Sequence, residues 1–152
     1  MMALFADGDM RVYKAGEKTA QELVEEGAVD VLSFGPYLIR DGEINTSYTS
    51  YGYTLQPRAA IGMAEKGHYF AVIVEGRIRP SRGMSCLQVS ELMLELGCTT
   101  AFNLDGGWTS AMVFMGKQLN QLDNNGVQDN ARQQNEVMGI GQTDAFLEGR
   151  AP

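Results

Sequence analysis

Residues 101–114 read AFNLDGGWTSAMVF. An apolar run climbs through Ala101, Phe102 and Leu104, stops at Asp105-Gly106-Gly107, and resumes at Met112-Val113-Phe114. Both flanks read as buried strands, Thr100–Leu104 and Ala111–Met115, with a carboxylate and two adjacent glycines between them. Paired glycines lose more backbone entropy on folding than other residues and offer no side chain to pack. They suit a place where the backbone itself makes a close approach. Two readings follow. In one, the N–H groups of Gly106 and Gly107 converge on an anion beside the Asp105 carboxylate. In the other, Asp105 caps its own sharp turn.

Working outward from this corner, two helices are marked by their ends. Thr19 with Glu22 three residues later forms a capping box, and Gly27 supplies a stop. Ser85 with Gln88 repeats the signature; Leu87, Leu92, Met93 and Leu96 keep helical spacing, and Gly97 closes the segment. Strands are expected at Val31–Phe34, Ala59–Met63 and Tyr69–Glu75, the last preceded by a Lys66-Gly67 turn. Tyr37–Ile44 reads as a hairpin turning at Asp41-Gly42. Short strands outnumber helices, so the expected class is α+β, a mixed and mostly antiparallel sheet packed with two or more helices. Residues 120–136 (NQLDNNGVQDNARQQNE) read as a long polar loop. Its Asp123–Gly126 portion lacks the alternating ligands and closing glutamate of a calcium loop.

The chain has 152 residues, enough for one domain with an ordinary core. With 19 acidic against 12 basic residues the net charge is −7, which argues against a nucleic-acid partner. No stretch nears the roughly 20 apolar residues of a membrane span. The start, MMALFADGDM, lacks the basic region and the apolar length of a secretion signal. Cys86 and Cys98 bracket the second helix, about 18 Å apart at 1.5 Å per residue, so they cannot form a disulfide and read as small buried hydrophobes. With His68 the sole histidine, and in a surface turn, no metal site is expected.

Two further clusters stand out. Arg58, in Gln56-Pro57-Arg58-Ala59-Ala60-Ile61-Gly62, opens a strand from which a guanidinium can grip a phosphate with two parallel hydrogen bonds. Arg77, Arg79 and Arg82 then form a local positive patch before the second helix, with a solvated basic loop as the plain alternative. Glu75 is a second carboxylate near this patch, and Glu43 a third candidate on the hairpin.

Taken in order, SFGPYLIRDGEI, PRAAIG, VEGR, SRGMSCLQVSELMLELGC and AFNLDGGWTSAMVFMGK resemble the phosphodiester glycosidase family over roughly residues 31–141. The tail RQQNEVMGIG is similar to that family's closing arginine and strand. Departures are Trp108 and Thr109 in DGGWTS where the family has Gly and Ser, Glu75 for Asp, and Ala59 for Thr. The resemblance implies one domain over residues 1–152 without the family's N-terminal Asn-Gly-Gly-Phe-Phe-like block. It implies a hydrolase that cleaves a sugar-1-phosphodiester, releasing sugar and a phosphomonoester, on bacterial cell-envelope or exopolysaccharide material.

The leaving phosphate is a weak base, so holding its charge and an oxocarbenium-like transition state matters more than a strong general acid. The implied catalytic set is Asp105, Glu75 and Arg58. Gly106, Gly107, Thr109, Ser110, Arg77, Arg82 and Trp108 would contact substrate, Trp108 either as a stacking face for a sugar or as an obstruction. No cofactor is predicted, a divalent cation stays open, and the family points to an extracytoplasmic or cell-surface location. The competing expectation is a non-catalytic phosphosugar- or glycan-binding module, shortened or dimerising to cover a sheet edge.

Overall fold

The computed structural model describes residues 1–123 and 137–141. In chain order the strands are β1 (Met2–Phe5), β2 (Met10–Val12), β3 (Ala28–Leu32), β4 (Tyr37–Arg40), β5 (Glu43–Ile44), β6 (Arg58–Glu65), β7 (His68–Val74), β8 (Thr100–Leu104), β9 (Val113–Phe114) and β10 (Lys117–Gln118). Helix α1 (Ala20–Glu25) precedes β3, and α2 (Cys86–Glu95) connects β7 to β8. A five-stranded sheet has the order β5-β4-β8-β6-β7, a three-stranded sheet the order β2-β1-β3, and β9 pairs with β10 alone. Every described pairing is antiparallel, so the α+β class holds.

Alternation along β8 explains the layering. Ala101 faces α2, joining Leu38, Ile39, Ala60, Val89, Met93 and the free, buried Cys86 and Cys98 in one core. Phe102 points the other way, meeting Ile61 and Met63 from its own sheet and Met2, Met10 and Val12 from the small one. Leu23 of α1 covers the outer face of the small sheet with Ala3 and Ala28. The layers therefore run α2, large sheet, small sheet, α1. None of the described helices is long and apolar enough to cross a membrane.

Both helix starts form as expected. Thr19 Oγ1 accepts from Glu22 N–H at 3.2 Å while Glu22 Oε2 accepts from Thr19 N–H at 2.7 Å. Ser85 and Gln88 exchange the same pair at 3.2 and 2.9 Å. The Asp41-Gly42 turn has φ of 54° and 79°, the paired positive values of a tight hairpin.

Two expectations need correction. Ala111–Met115 is not a buried strand: Val113, Phe114 and Met115 are 64, 67 and 85% exposed, and only β9, a two-residue strand, forms there. After the glycines the chain leaves the sheet as its own hairpin, tied at its base by Asn120, which donates to Ser110 O and accepts from Met112 N–H. Second, the N-terminal segment, read only for targeting signals, forms the β1–β2 hairpin around Gly8 (φ 77°). Of the polar loop, residues 124–136 lie outside the described part, as does Arg132 of the closing segment; Val137–Gly141 forms no strand.

The entry to β6 is where distant parts of the chain meet. Gln56 N–H donates to Met84 O at 3.1 Å and Met84 N–H to Gln56 O at 3.0 Å, a single antiparallel bridge. Three glycines press against this segment. A Cβ on Gly83 would lie 2.3 Å from Gln56 O, one on Gly76 2.7 Å from Pro57 N, and one on Gly106 2.9 Å from Pro57 O. Each obstacle is backbone and cannot swing aside. Gly83→Ala is therefore expected to destabilise by about 3 kcal/mol or more, adding overlap to its positive φ. Gly97→Ala, with positive φ but open space around it, should lose only about 1–2 kcal/mol. Denaturant midpoints of the two variants check the contrast; equal losses would refute it.

Candidate active site

Asp105, Gly106 and Gly107 leave the end of β8 and enter a short 3-10 turn, Gly107–Thr109. The amides of the corner are engaged within the protein. Gly106 N–H donates to Asp105 Oδ1 at 2.9 Å, and Gly107 N–H donates to Pro57 O at 3.0 Å. Asp105 thus caps its own turn, and both glycine amides donate within the protein. Thr109 Oγ1 donates to Gly106 O at 2.9 Å.

Arg58 lies inside the fold. Alternation along β6 puts it with Ala60 on the α2 side, and it is only 4% exposed. Its Nε donates to Met84 O at 3.2 Å, and its Nη2 to Tyr51 O and Thr54 O at 3.1 and 3.0 Å. The guanidinium lies 5.3 Å from the Tyr51 ring centroid, within cation–π range. Carbonyls take three of its five N–H donors, so Arg58 fastens the Tyr51–Thr54 turn and the start of α2 to the sheet. Burial pushes the thiol of nearby Cys86 up in pKa, with Arg58 acting in the opposite direction.

Arg77 is the guanidinium at the corner. It donates from Nε at 2.8 Å, and from Nη2, to Gln56 Oε1, and from Nη1 to Asp123 Oδ2 at 2.8 Å. These contacts use three of its five N–H donors. Its Nη1 would stand 3.6 Å from a Cβ on Gly107, so the cation lies flat against a glycine that leaves it room. Its φ is 56°, a left-handed backbone that costs a non-glycine residue on the order of 1 kcal/mol. The side chain of Asp123 is fully buried and that of Arg77 31% exposed, so the pair is partly desolvated and its cation reaches solvent.

Other expected residues fall around this centre. Ser110 is 2% exposed, and its Oγ has no hydrogen-bond partner; it lies 3.3 Å from where a Cβ on Gly106 would be. Trp108 remains 41% exposed on the 3-10 turn. Glu75 follows β7, where its Oε1 accepts from Gln121 N–H at 2.6 Å; β6 runs between it and the end of β8. Arg79 and Arg82 are exposed on the turn after Arg77, and Glu43 and His68 are exposed on strands away from the corner.

Three residues without an expected role complete the arrangement: Gln56 and Asp123, which fix Arg77, and Asn103. Asn103 is 2% exposed, and its Nδ2 donates to Gly35 O and Leu104 O, both at 2.9 Å, while its Oδ1 has no partner. The only hint of Asn103 in the sequence is an amide between two apolar strand residues. Among the described residues, no three of His, Cys, Asp and Glu gather as a metal group.

A family model described as phosphodiester glycosidase matches residues 1–140, so the chain belongs to that family. The match reaches the first residue, beyond the motif blocks that carry the resemblance. A Bacillus subtilis (strain 168) relative, the SPbeta prophage-derived uncharacterized protein YomE, is 35% identical over 121 residues, covering 78% of this chain and 19% of that protein. The catalytic domain of zebrafish N-acetylglucosamine-1-phosphodiester alpha-N-acetylglucosaminidase, auto-inhibited by its pro-peptide, superimposes with a TM-score of 0.57 at 20% identity. That match covers 86% of this chain and 48% of the zebrafish one. A hypothetical protein from Synechocystis matches at a TM-score of 0.50 and 24% identity, over 58% of this chain and 17% of that one. These structural likenesses show the fold. The chain spans about half or less of the length of each of these relatives.

A buried hydroxyl without a partner carries a desolvation cost and returns no hydrogen bond. Ser110→Ala should accordingly leave the thermal midpoint unchanged or raise stability by up to about 1 kcal/mol. A marked drop in midpoint would show that the hydroxyl holds the fold.

Proposed function

We propose that this chain hydrolyses the glycosidic bond of a sugar-1-phosphodiester, with bacterial cell-envelope or exopolysaccharide material as its target. The observation that carries the reading is the placement of Arg77, pinned by Gln56 and Asp123 against Gly107, two residues from the Asp105 carboxylate. In this reading the exposed part of the guanidinium holds the phosphate. Water adds to the anomeric carbon as the bond from that carbon to the phosphate oxygen breaks, and the electron pair leaves with the phosphomonoester. Asp105 takes the proton from water and faces the positive charge that develops on the sugar ring. Ser110 Oγ hydrogen-bonds to the bound substrate, and Trp108 offers a ring face beside it. Glu75, across β6, orders the segment after Asn120 through Gln121.

A second reading, a phosphosugar-binding module without turnover, draws on the fact that both glycine amides are already hydrogen-bonded inside the protein. A corner that offers no free amides has fewer groups to stabilise a transition state than to hold a ligand through Arg77.

One assay separates the two. The chain is incubated with a panel of hexoses and N-acetylhexosamines joined through C1 to methyl phosphate, and free sugar is quantified. The hydrolase reading expects release by the wild type and a fall of about 100- to 10,000-fold in Asp105→Asn, with the circular dichroism spectrum unchanged. Full activity in that variant rejects Asp105 as the catalytic carboxylate. Binding by calorimetry without release, weakened in Arg77→Met, selects the binding module.

A further inference from the structure

We infer that the cleft between the two sheets, at the end of the large sheet from which Asp105 leaves, is the subsite for the sugar of the phosphodiester. This rests on the proposed hydrolase or phosphosugar-binding reading and gives it a location for the carbohydrate. The cleft has a volume of about 510 Å³, within the roughly 300–1,000 Å³ range of small-molecule sites. One wall is the Lys14–Gly16 loop after β2; the other is the Ser33–Pro36 turn between β3 and β4; Phe102 and Tyr37 line it from the large sheet.

Its position follows from strand order. The sheet runs β4-β8-β6-β7, with Asp105 leaving the end of β8. Arg77 follows β7 on one side of that point. The turn that leads into β4, and with it the cleft, lies on the other side. Asn103 joins the two: its N–H donates to Pro36 O at 3.0 Å and its carboxamide to Gly35 O at 2.9 Å. It stands two residues from Asp105, about 7 Å of extended chain. Cleft, carboxylate and cation thus follow one another across the sheet end, in the order sugar, anomeric carbon and phosphate occur in the substrate.

The lining suits a pyranose. Phe34 is 55% exposed and presents a ring that the C–H face of a sugar can cover, while Lys14, Tyr37 and Ser47 carry donors for ring hydroxyls. The Lys14 loop is held in place by Glu17, whose carboxylate accepts from Lys14 N–H at 2.8 Å and from Arg40 Nη1 at 2.8 and 3.0 Å. The Arg40 guanidinium, followed by the Lys14 N–H, lowers the Glu17 pKa, so the carboxylate that makes this tie stays charged to lower pH than a free glutamate.

The test is binding, measured by calorimetry in the Asp105→Asn background with the same panel of sugar methyl phosphodiesters, and with dimethyl phosphate as a probe that has no sugar. At least one panel member should bind. Phe34→Ala should weaken it about tenfold. Ser47→Trp, at an exposed position where the added ring fills the cleft, should abolish it. Dimethyl phosphate binding should be the same in all three proteins. Unchanged sugar affinity in both cleft variants overturns the proposal, as does parallel loss of dimethyl phosphate binding, which would put the phosphate in the cleft. Failure of every panel member to bind overturns it too. Sugar binding that depends on Phe34, in a wild-type chain with no turnover, would retain the cleft and remove the hydrolase. Turnover that both cleft variants leave untouched would do the reverse.

Discussion

Backbone-to-backbone contact around Gln56–Arg58 is the constraint on which the rest of this molecule depends. Gly76 and Gly83 come from the two ends of the β7–α2 connection and Gly106 from the exit of β8, and each approaches the segment too closely for a side chain. Through them the end of β7, the entry to α2 and the exit of β8 are brought to one end of the sheet. Hydrogen bonds follow from that proximity: Met84 bridges Gln56, and Gly107 N–H reaches Pro57 O. Such contacts are geometrically unforgiving, because interiors pack at crystal-like density and main chain cannot change rotamer.

The same junction separates the duties of two arginines that look equivalent in sequence. Arg58 is inside it, and its burial is offset by the carbonyls of Tyr51, Thr54 and Met84, which take three of its N–H donors. Arg77 is at its rim, where Gln56 and the buried carboxylate of Asp123 orient the cation while part of it reaches solvent. One arginine is committed to holding the scaffold together. The other is fixed in orientation and still able to meet an anion, and little reorganisation is needed when a ligand arrives.

Local features were legible where chemistry acts over three or four residues. Thr19-Glu22 and Ser85-Gln88 named their helices, and Asp41-Gly42 its hairpin, because capping and turn preferences need no tertiary contact. Asp7-Gly8 carries the same hairpin dipeptide, but the four- and three-residue strands it joins are too short for periodicity to name, so β1, β2 and the second sheet are not legible there. The error at Ala111–Met115 has another origin. Apolar content signals burial only when a neighbouring strand is available, and here the chain pairs with β10 alone. Motif order brought Asp105, Arg77 and Ser110 into one candidate site. The engagement of Arg58, Gly106 and Gly107 depended on partners such as Met84, which no spacing rule supplies.

The polar atoms left unmatched sit close to the candidate chemistry. Among the described residues the buried side-chain atoms without a partner are Asn103 Oδ1 and Ser110 Oγ, on either side of Asp105-Gly106-Gly107. Elsewhere buried polar groups are matched closely: Ser90 Oγ donates to Cys86 O and meets Tyr48 Oη at 2.8 Å, and Tyr48, desolvated there, has its pKa pushed up to about 12. A fold that satisfies its polar atoms in the core and leaves two unsatisfied beside a carboxylate and an oriented cation concentrates its polar frustration at one place. Stability alone would favour an apolar replacement at Ser110, whereas Asn103 is retained in part by the two hydrogen bonds its Nδ2 donates. A hydroxyl and a carbonyl oxygen kept there without partners are chemically suited to a ligand rich in hydroxyl groups, which is the property a carbohydrate adds to a phosphate.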